Sequence, residues 1–208
     1  MDFSFLSEVP RPLGLEAETA VVAKEMRKKY PDFFAWVQAG EDKAQDQVDH
    51  PHDHAEGQGQ VLGVEGRKEE PWLLSNADLE YFYHLTRPLD VGCACPYGWV
   101  EKVERVVDQQ YPMFGVERFP DLYDKAAHML WLIIKNEVFS DYNGGVAVLA
   151  ALVLLERNGI TVNTSDKGLC ALVVNARSLI TDSKNDSDYD DDKAVRYLGA
   201  MLRANAGN

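Results

Sequence analysis

Apolar residues recur at helical spacing along most of the chain. Between Leu15 and Tyr30, Val21, Val22 and Met26 fall on one side and Lys24, Arg27 and Lys28 elsewhere, which predicts an amphipathic helix stopped by Pro31. "PDFFAWV" starts a short second helical piece. Ser75 followed three residues later by Asp78 has the form of a capping box, opening a helix with Leu79, Phe82 and Leu85 inward that ends before Pro88. From Gly98 to Tyr111, Val100, Val103 and Val107 line one face while Glu101, Lys102, Glu104 and Arg105 face water. Leu122 to Asn136 carries Leu122, Ala126, Met129, Leu130 and Ile133 at the same period. Val146 to Arg157, apolar on all sides as far as Leu155, closes at Asn158-Gly159, a left-handed cap. Two further helices are expected over about Asp166 to Ile180 and Asp190 to Arg203. No strand alternation persists beyond a few residues, so the predicted fold class is all-α, a helical bundle around the buried 146–157 helix.

The pattern breaks from Gln38 to about Pro71, where Gly, Asp, Gln, Glu and His replace large apolar residues. Too few apolar side chains are present there to offset ordering entropy, so a poorly ordered or surface segment is expected. The organisation that follows is an N-terminal helical extension with a polar surface loop over 1–74 and a helical domain over 75–208.

With 208 residues and 46% hydrophobic content, the chain is long enough for a sizeable core. Lys and Arg number 21 against 34 Asp and Glu, a net charge of -13. That charge opposes nucleic-acid backbones and anionic membrane surfaces and favours a neutral or basic protein partner. The longest apolar run, Val146 to Leu155, is about half of what a bilayer requires, and "MDFSFLSEVPRPLG" lacks the pattern of a signal peptide. A cytoplasmic location is expected. Cys93, Cys95 and Cys170 have no paired metal spacing, and the first two are too close for an unstrained disulfide, so plain thiols are expected.

The stretch "PDLYDKAAHMLWLIIKNEVFSDYNGGVAVLAALVLLERNGI", Pro120 to Ile160, resembles the core of the Fic/Doc family, whose hallmark is a helix, a loop of the form H-x-F-x-[DE]-G-N-[GK]-R and a second, buried helix ending in Asn-Gly. The resemblance covers roughly Ser75 to Asn205. It implies that Phe139 is the buried anchor of the loop, Asp141 the metal-holding acid and Asn143 the phosphate-positioning residue, with Gly144 matching one family variant. Family enzymes transfer part of a nucleotide, or a phosphoryl group, to a protein hydroxyl. If this chain were active, ATP or another nucleoside triphosphate with magnesium would be its cofactor.

The departures fall on the chemical positions. Glu137 stands where the family has its catalytic His, Tyr142 where it has Gly, and Gly145 and Val148 where it has Arg. Glu137 is left as the only candidate base, and an ordinary Glu, with a pKa of about 4.3, is a weaker base than His near neutrality. Asn143, Gly144 and Gly145 could still offer backbone N–H groups and a helix dipole to phosphate. An Arg on a transferring phosphoryl group, however, is worth about three to five powers of ten in rate. Restoring His at 137 with Arg at 145 and 148 is expected to regain nucleotide affinity if that geometry is intact. The reading that follows is a catalytically degenerate binding or regulatory protein, of the kind found in bacterial or phage conflict systems. The alternative is an atypical nucleotide-dependent transferase acting on a protein hydroxyl, and no cofactor is expected under the first.

Three other segments carry candidate chemistry. "DHPHDHAEG", Asp49 to Gly57, places His50, His52 and His54 among Asp49, Asp53 and Glu56, donors for zinc, copper or nickel if ordered and a solvated loop if not. "DSKNDSDYDDDK", Asp182 to Lys193, has the acid density of a calcium loop but lacks its central Gly and closing Glu; Asp190, Asp191 and Asp192 suit the first turn of a helix. "YPMFGVERFPDLY", Tyr111 to Tyr123, lies where the resembled family carries its target-docking flap. It is the candidate partner surface, with Met113, Phe114 and Phe119 equally able to serve as core. His84 and His128 are expected on helices as packing or surface residues, and Ser4 to Glu8 has only the spacing of the family's inhibitory helix.

Overall fold

The computed structural model describes residues 12–40, 70–88 and 97–206, and these form eight helices. They are α1 (Ala17–Lys29), α2 (Pro31–Gln38), α3 (Asn76–Thr86), α4 (Trp99–Asp108), α5 (Leu122–Lys135), α6 (Asn143–Arg157), α7 (Asp166–Asn185) and α8 (Asp191–Ala204). Among the described residues there is no sheet; two isolated bridges, Met113 with Val116 and Val162 with Ala206, are the nearest approach to one. The fold class is all-α, as the periodicity predicts. Most of the polar 38–71 segment, with His50, His52 and His54, lies outside the described residues, as do Cys93, Cys95 and the Ser4 to Glu8 stretch.

α6 is the centre. Every residue from Asn143 to Leu155 is buried, and the helix packs most extensively on α5, then on α1 and α3. Its Leu and Val side chains each contribute about 1.5–3 kcal/mol of burial. The facing helices supply small residues, Ala20 and Ala23 on α1 and Ala126 and Ala127 on α5, all fully buried. α6 begins three residues earlier than the apolar run suggests, because Gly144 and Gly145 continue the helix inside the core. It ends where expected: Gly159 takes φ +78°, with Ile160 N–H donating to the Leu155 carbonyl (2.9 Å) and Gly159 N–H to that of Glu156 (3.0 Å). The capping box of α3 also forms, Ser75 and Asp78 each bonding the other's backbone N–H.

Two faces differ from the sequence pattern. In α4, Val103, Val106 and Val107 are buried while Val100 is 46% exposed. Trp99, which packs at 6.0 Å on Phe139, fixes the rotation so that positions 99, 103, 106 and 107 turn inward. In α1 the inward stripe is Thr19, Ala20, Ala23, Met26 and Arg27, and Val21 faces out. Close helix approach selects the alanines over the bulkier valine. α7 extends to Asn185, beyond the expected end near Ile180, since no Gly or Pro stands between Ile180 and Asn185.

Extended residues 72–74 are held by side-chain carboxamides instead of a neighbouring strand. Asn158 accepts from Trp72 N–H and donates to its carbonyl, both at 2.9 Å. Gln110 does the same for Leu74, at 2.9 and 3.0 Å. Among the described residues, no helix is long and apolar enough to cross a membrane.

Candidate functional site

The loop between α5 and α6 is stitched to α3. Phe139 is buried and stacks on Tyr83, ring centroids 4.5 Å apart and planes 5° from parallel. Tyr83 Oη donates to Asp141 Oδ1 at 3.0 Å. Asn143 turns its side chain back into the loop: Oδ1 accepts from Phe139 N–H at 3.0 Å and Nδ2 donates to the Phe139 carbonyl at 2.8 Å. Phe139 is thus tied to Asn143 directly and to Asp141 through Tyr83. Tyr83 is the partner the sequence did not reveal, since the apolar stripe of α3 draws the eye to Leu79, Phe82 and Leu85.

Glu137 lies apart from this cluster. It is exposed, its backbone is left-handed (φ +45°), and its carbonyl accepts from Lys102 Nζ of α4 at 2.9 Å. Lys102 also bonds the Asn136 carbonyl at 3.1 Å, capping the C-terminal end of α5 with a cation. A second left-handed residue, Tyr142 at φ +56°, stands at the N-cap of α6 without a side-chain capping bond.

Protein packs closely around this helix end. A Cβ at Gly145 would collide with Thr86 Cγ2 and lie 3.0 Å from Val37 Cγ1, so protein already fills the space beside the glycine. Val148 is fully buried, so a larger side chain at either position would have to displace its neighbours in the core. The polar group of Asn143 is already committed to Phe139, and the Asp141 carboxylate places negative charge next to the helix N-terminus. Among the described residues, no group of three or more His, Cys, Asp or Glu side chains is arranged to hold a metal ion.

His84 and Arg87 sit on the last turn of α3 beside Tyr83. Arg87 Nε donates to His84 Nδ1 at 3.3 Å, and Glu80 Oε1 lies 3.9 Å from Nε2. Burial, followed by the Arg87 charge, holds the imidazole below its ordinary pKa. The acidic 182–193 segment resolves into helix ends: Asp190 caps α8, Asp191 binds Lys135 at 2.5 Å, and Asp192 pairs with Arg118.

The Tyr111 to Tyr123 segment divides between core and surface. Phe119 is buried against His128, ring centroids 4.6 Å apart. Met113 and Val116 exchange both backbone hydrogen bonds at 3.0 Å around Phe114 (φ +52°) and Gly115 (φ +78°), a two-residue hairpin of type I′. At its tip Phe114 is 100% exposed; Tyr111, Met113 and Val116 are exposed around it. Both ends of the hairpin are clamped by buried Lys125, which donates to the Gln110 carbonyl (2.8 Å) and pairs with Glu117. The signal for this was present in the sequence, a lysine on the core face of α5 three residues after Leu122 and four before Met129.

Comparison with known proteins gives no match: no family model fits the chain, and no curated protein or solved structure matches it.

Proposed function

We propose that this chain is a catalytically degenerate protein on a Fic/Doc-like scaffold that acts by binding a protein partner, in a regulatory role within a bacterial or phage conflict system. The observation that carries the binding half is the hairpin tip, where a fully exposed phenylalanine sits in a backbone conformation that costs it energy. Folding alone does not require an aromatic there; a surface that grips an apolar pocket does. The rigid clamp at Lys125 suits the same task by presenting the tip in one orientation, which reduces the ordering cost on binding. With a net charge of -13, the partner is neutral or basic.

The packing of Gly145 and Val148, the committed side chain of Asn143 and the lack of a histidine at 137 support the degenerate half. The protein is incubated with radiolabelled ATP, magnesium and a cell lysate, and no label above background is expected on any protein. Robust labelling that disappears in Glu137→Ala would overturn this reading in favour of a transferase.

A further inference from the structure

Two cations among the described residues are buried, Lys125 at 4% exposure and Arg27 at 5%. Lys125 has the partners such a site needs, a carbonyl and a carboxylate. Arg27 has neither. Its guanidinium carbon lies 4.6 Å from the centroid of the Phe34 ring, and its Nε is closed off from solvent with no hydrogen-bond partner. The chain holds 34 acidic residues, and other arginines are matched to them: Arg118 to Asp192, Arg157 to Glu16 and Glu18, Arg203 to Asp121. Burial alone lowers the Arg27 pKa, to about 10, and no acid acts against that shift. The group is therefore charged at neutral pH and has no counter-charge among the described residues.

The plain explanation is a cation favoured by the carbonyl end of α1. It serves Lys28, which is exposed, and Lys29, which donates to the Val162 carbonyl at 3.1 Å. It does not account for drawing a guanidinium out of water, because a methionine would cover Phe34 without charge. What the guanidinium adds is a planar fork, one face fixed by the ring, matched to two oxygens of a single anion. We propose that Arg27, seated on Phe34 with Lys28 next to it in α1, is the receptor for an oxyanion, a carboxylate or a phosphate group supplied from outside the described chain. The proposal is independent of the hairpin.

The test uses the full chain, with thermal unfolding followed in inorganic phosphate, in acetate and in chloride at matched ionic strength. Phosphate raises melting temperatures by exclusion from protein surfaces, so the decisive quantity is the difference between wild type and Arg27→Met. A saturable rise is expected in the wild type and lost in Arg27→Met, while the variant melts higher than the wild type in chloride. Arg27→Lys, which keeps charge but lacks the fork, is expected to show a weakened response. A response confined to phosphate identifies that group, and one shared with acetate identifies a carboxylate receptor. An anion response equal in wild type and Arg27→Met would overturn the proposal. As a direct readout on the unmodified protein, the Arg27 Nε–H resonance is followed during anion titration; a resonance unmoved by both anions would also overturn it.

Discussion

Asn143 bonds both backbone polar groups of Phe139, accepting from its N–H and donating to its carbonyl. One side chain thereby ties the start of α6 back to the middle of the loop that joins it to α5, using its carbonyl oxygen and one of its N–H groups. Asn143→Ala leaves two buried backbone groups unpaired at about 1 kcal/mol each, so a loss of about 2 kcal/mol is expected in denaturant melts. A variant within a few tenths of wild type would show that the loop is held by other means.

Gly145 and Thr86 make a second close contact, and it can be dissected. Gly145→Ala forces a methyl group against Thr86 Cγ2, and a destabilisation of about 1–3 kcal/mol is expected from overpacking. Thr86→Ser removes that methyl and retains the hydroxyl bonded to the Phe82 carbonyl at 2.7 Å. In the Thr86→Ser background, Gly145→Ala is expected to cost markedly less, since alanine is the better helix former by about 1 kcal/mol. Equal costs in both backgrounds would place the strain elsewhere.

His128 makes stability depend on pH. Burial first, then the nearby Arg118 charge, lowers its pKa from 6.5 to about 4; Lys125 acts in the same direction, and Asp192 and Asp191 oppose it. The folded state keeps the imidazole neutral while the unfolded chain takes up a proton below pH 6.5. Stability therefore falls as pH drops from about 6.5 to 4 and levels off below, a contribution of at most about 3 kcal/mol. Melts of wild type and His128→Gln across this range should diverge by that slope, and parallel curves would refute it.

At the hairpin, Phe114→Asn places a residue tolerant of left-handed backbone at the tip. A gain of about 0.5–1 kcal/mol is expected from relieved strain, together with loss of partner binding. Lys125→Met, in contrast, leaves the Gln110 carbonyl and Glu117 without their ammonium. It is expected to cost about 2 kcal/mol and to raise amide exchange over 111–117. Both effects are read by denaturant melts with hydrogen exchange.

The element order was legible because each helix carries its own punctuation: Pro31, the Ser75 and Asp78 box, Asn158-Gly159. Faces were less legible wherever two stripes fit one pattern. Val100 and Val106 both lie at helical spacing from Val103, and only the seating of Trp99 on Phe139 decides between them. In α1 the sequence suggests valines as core and Arg27 as surface, yet packing against α6 selects small side chains and buries the arginine. For the loop, register identified Phe139, Asp141 and Asn143 as a group. Their partner Tyr83 on α3, and Val37 and Thr86 beside Gly145, come from distant sequence, and no local signal marks them.

The carboxamide clamps at Asn143 and Asn158 also bear on how the molecule ages. Each of these asparagines precedes a glycine, Gly144 and Gly159, and without a Cβ on the following residue the next peptide nitrogen can reach the side-chain carbonyl carbon with least obstruction. In the folded protein both side chains are pinned, to Phe139 and to Trp72, which keeps them from that approach. Time spent unfolded releases them to deamidate. Asparagine becomes aspartate or isoaspartate, and the donors that held the Phe139, Trp72 and Leu154 carbonyls become oxygens that repel them. The fold thus protects the amides on which it depends, and each prolonged excursion from it leaves a chain less able to return.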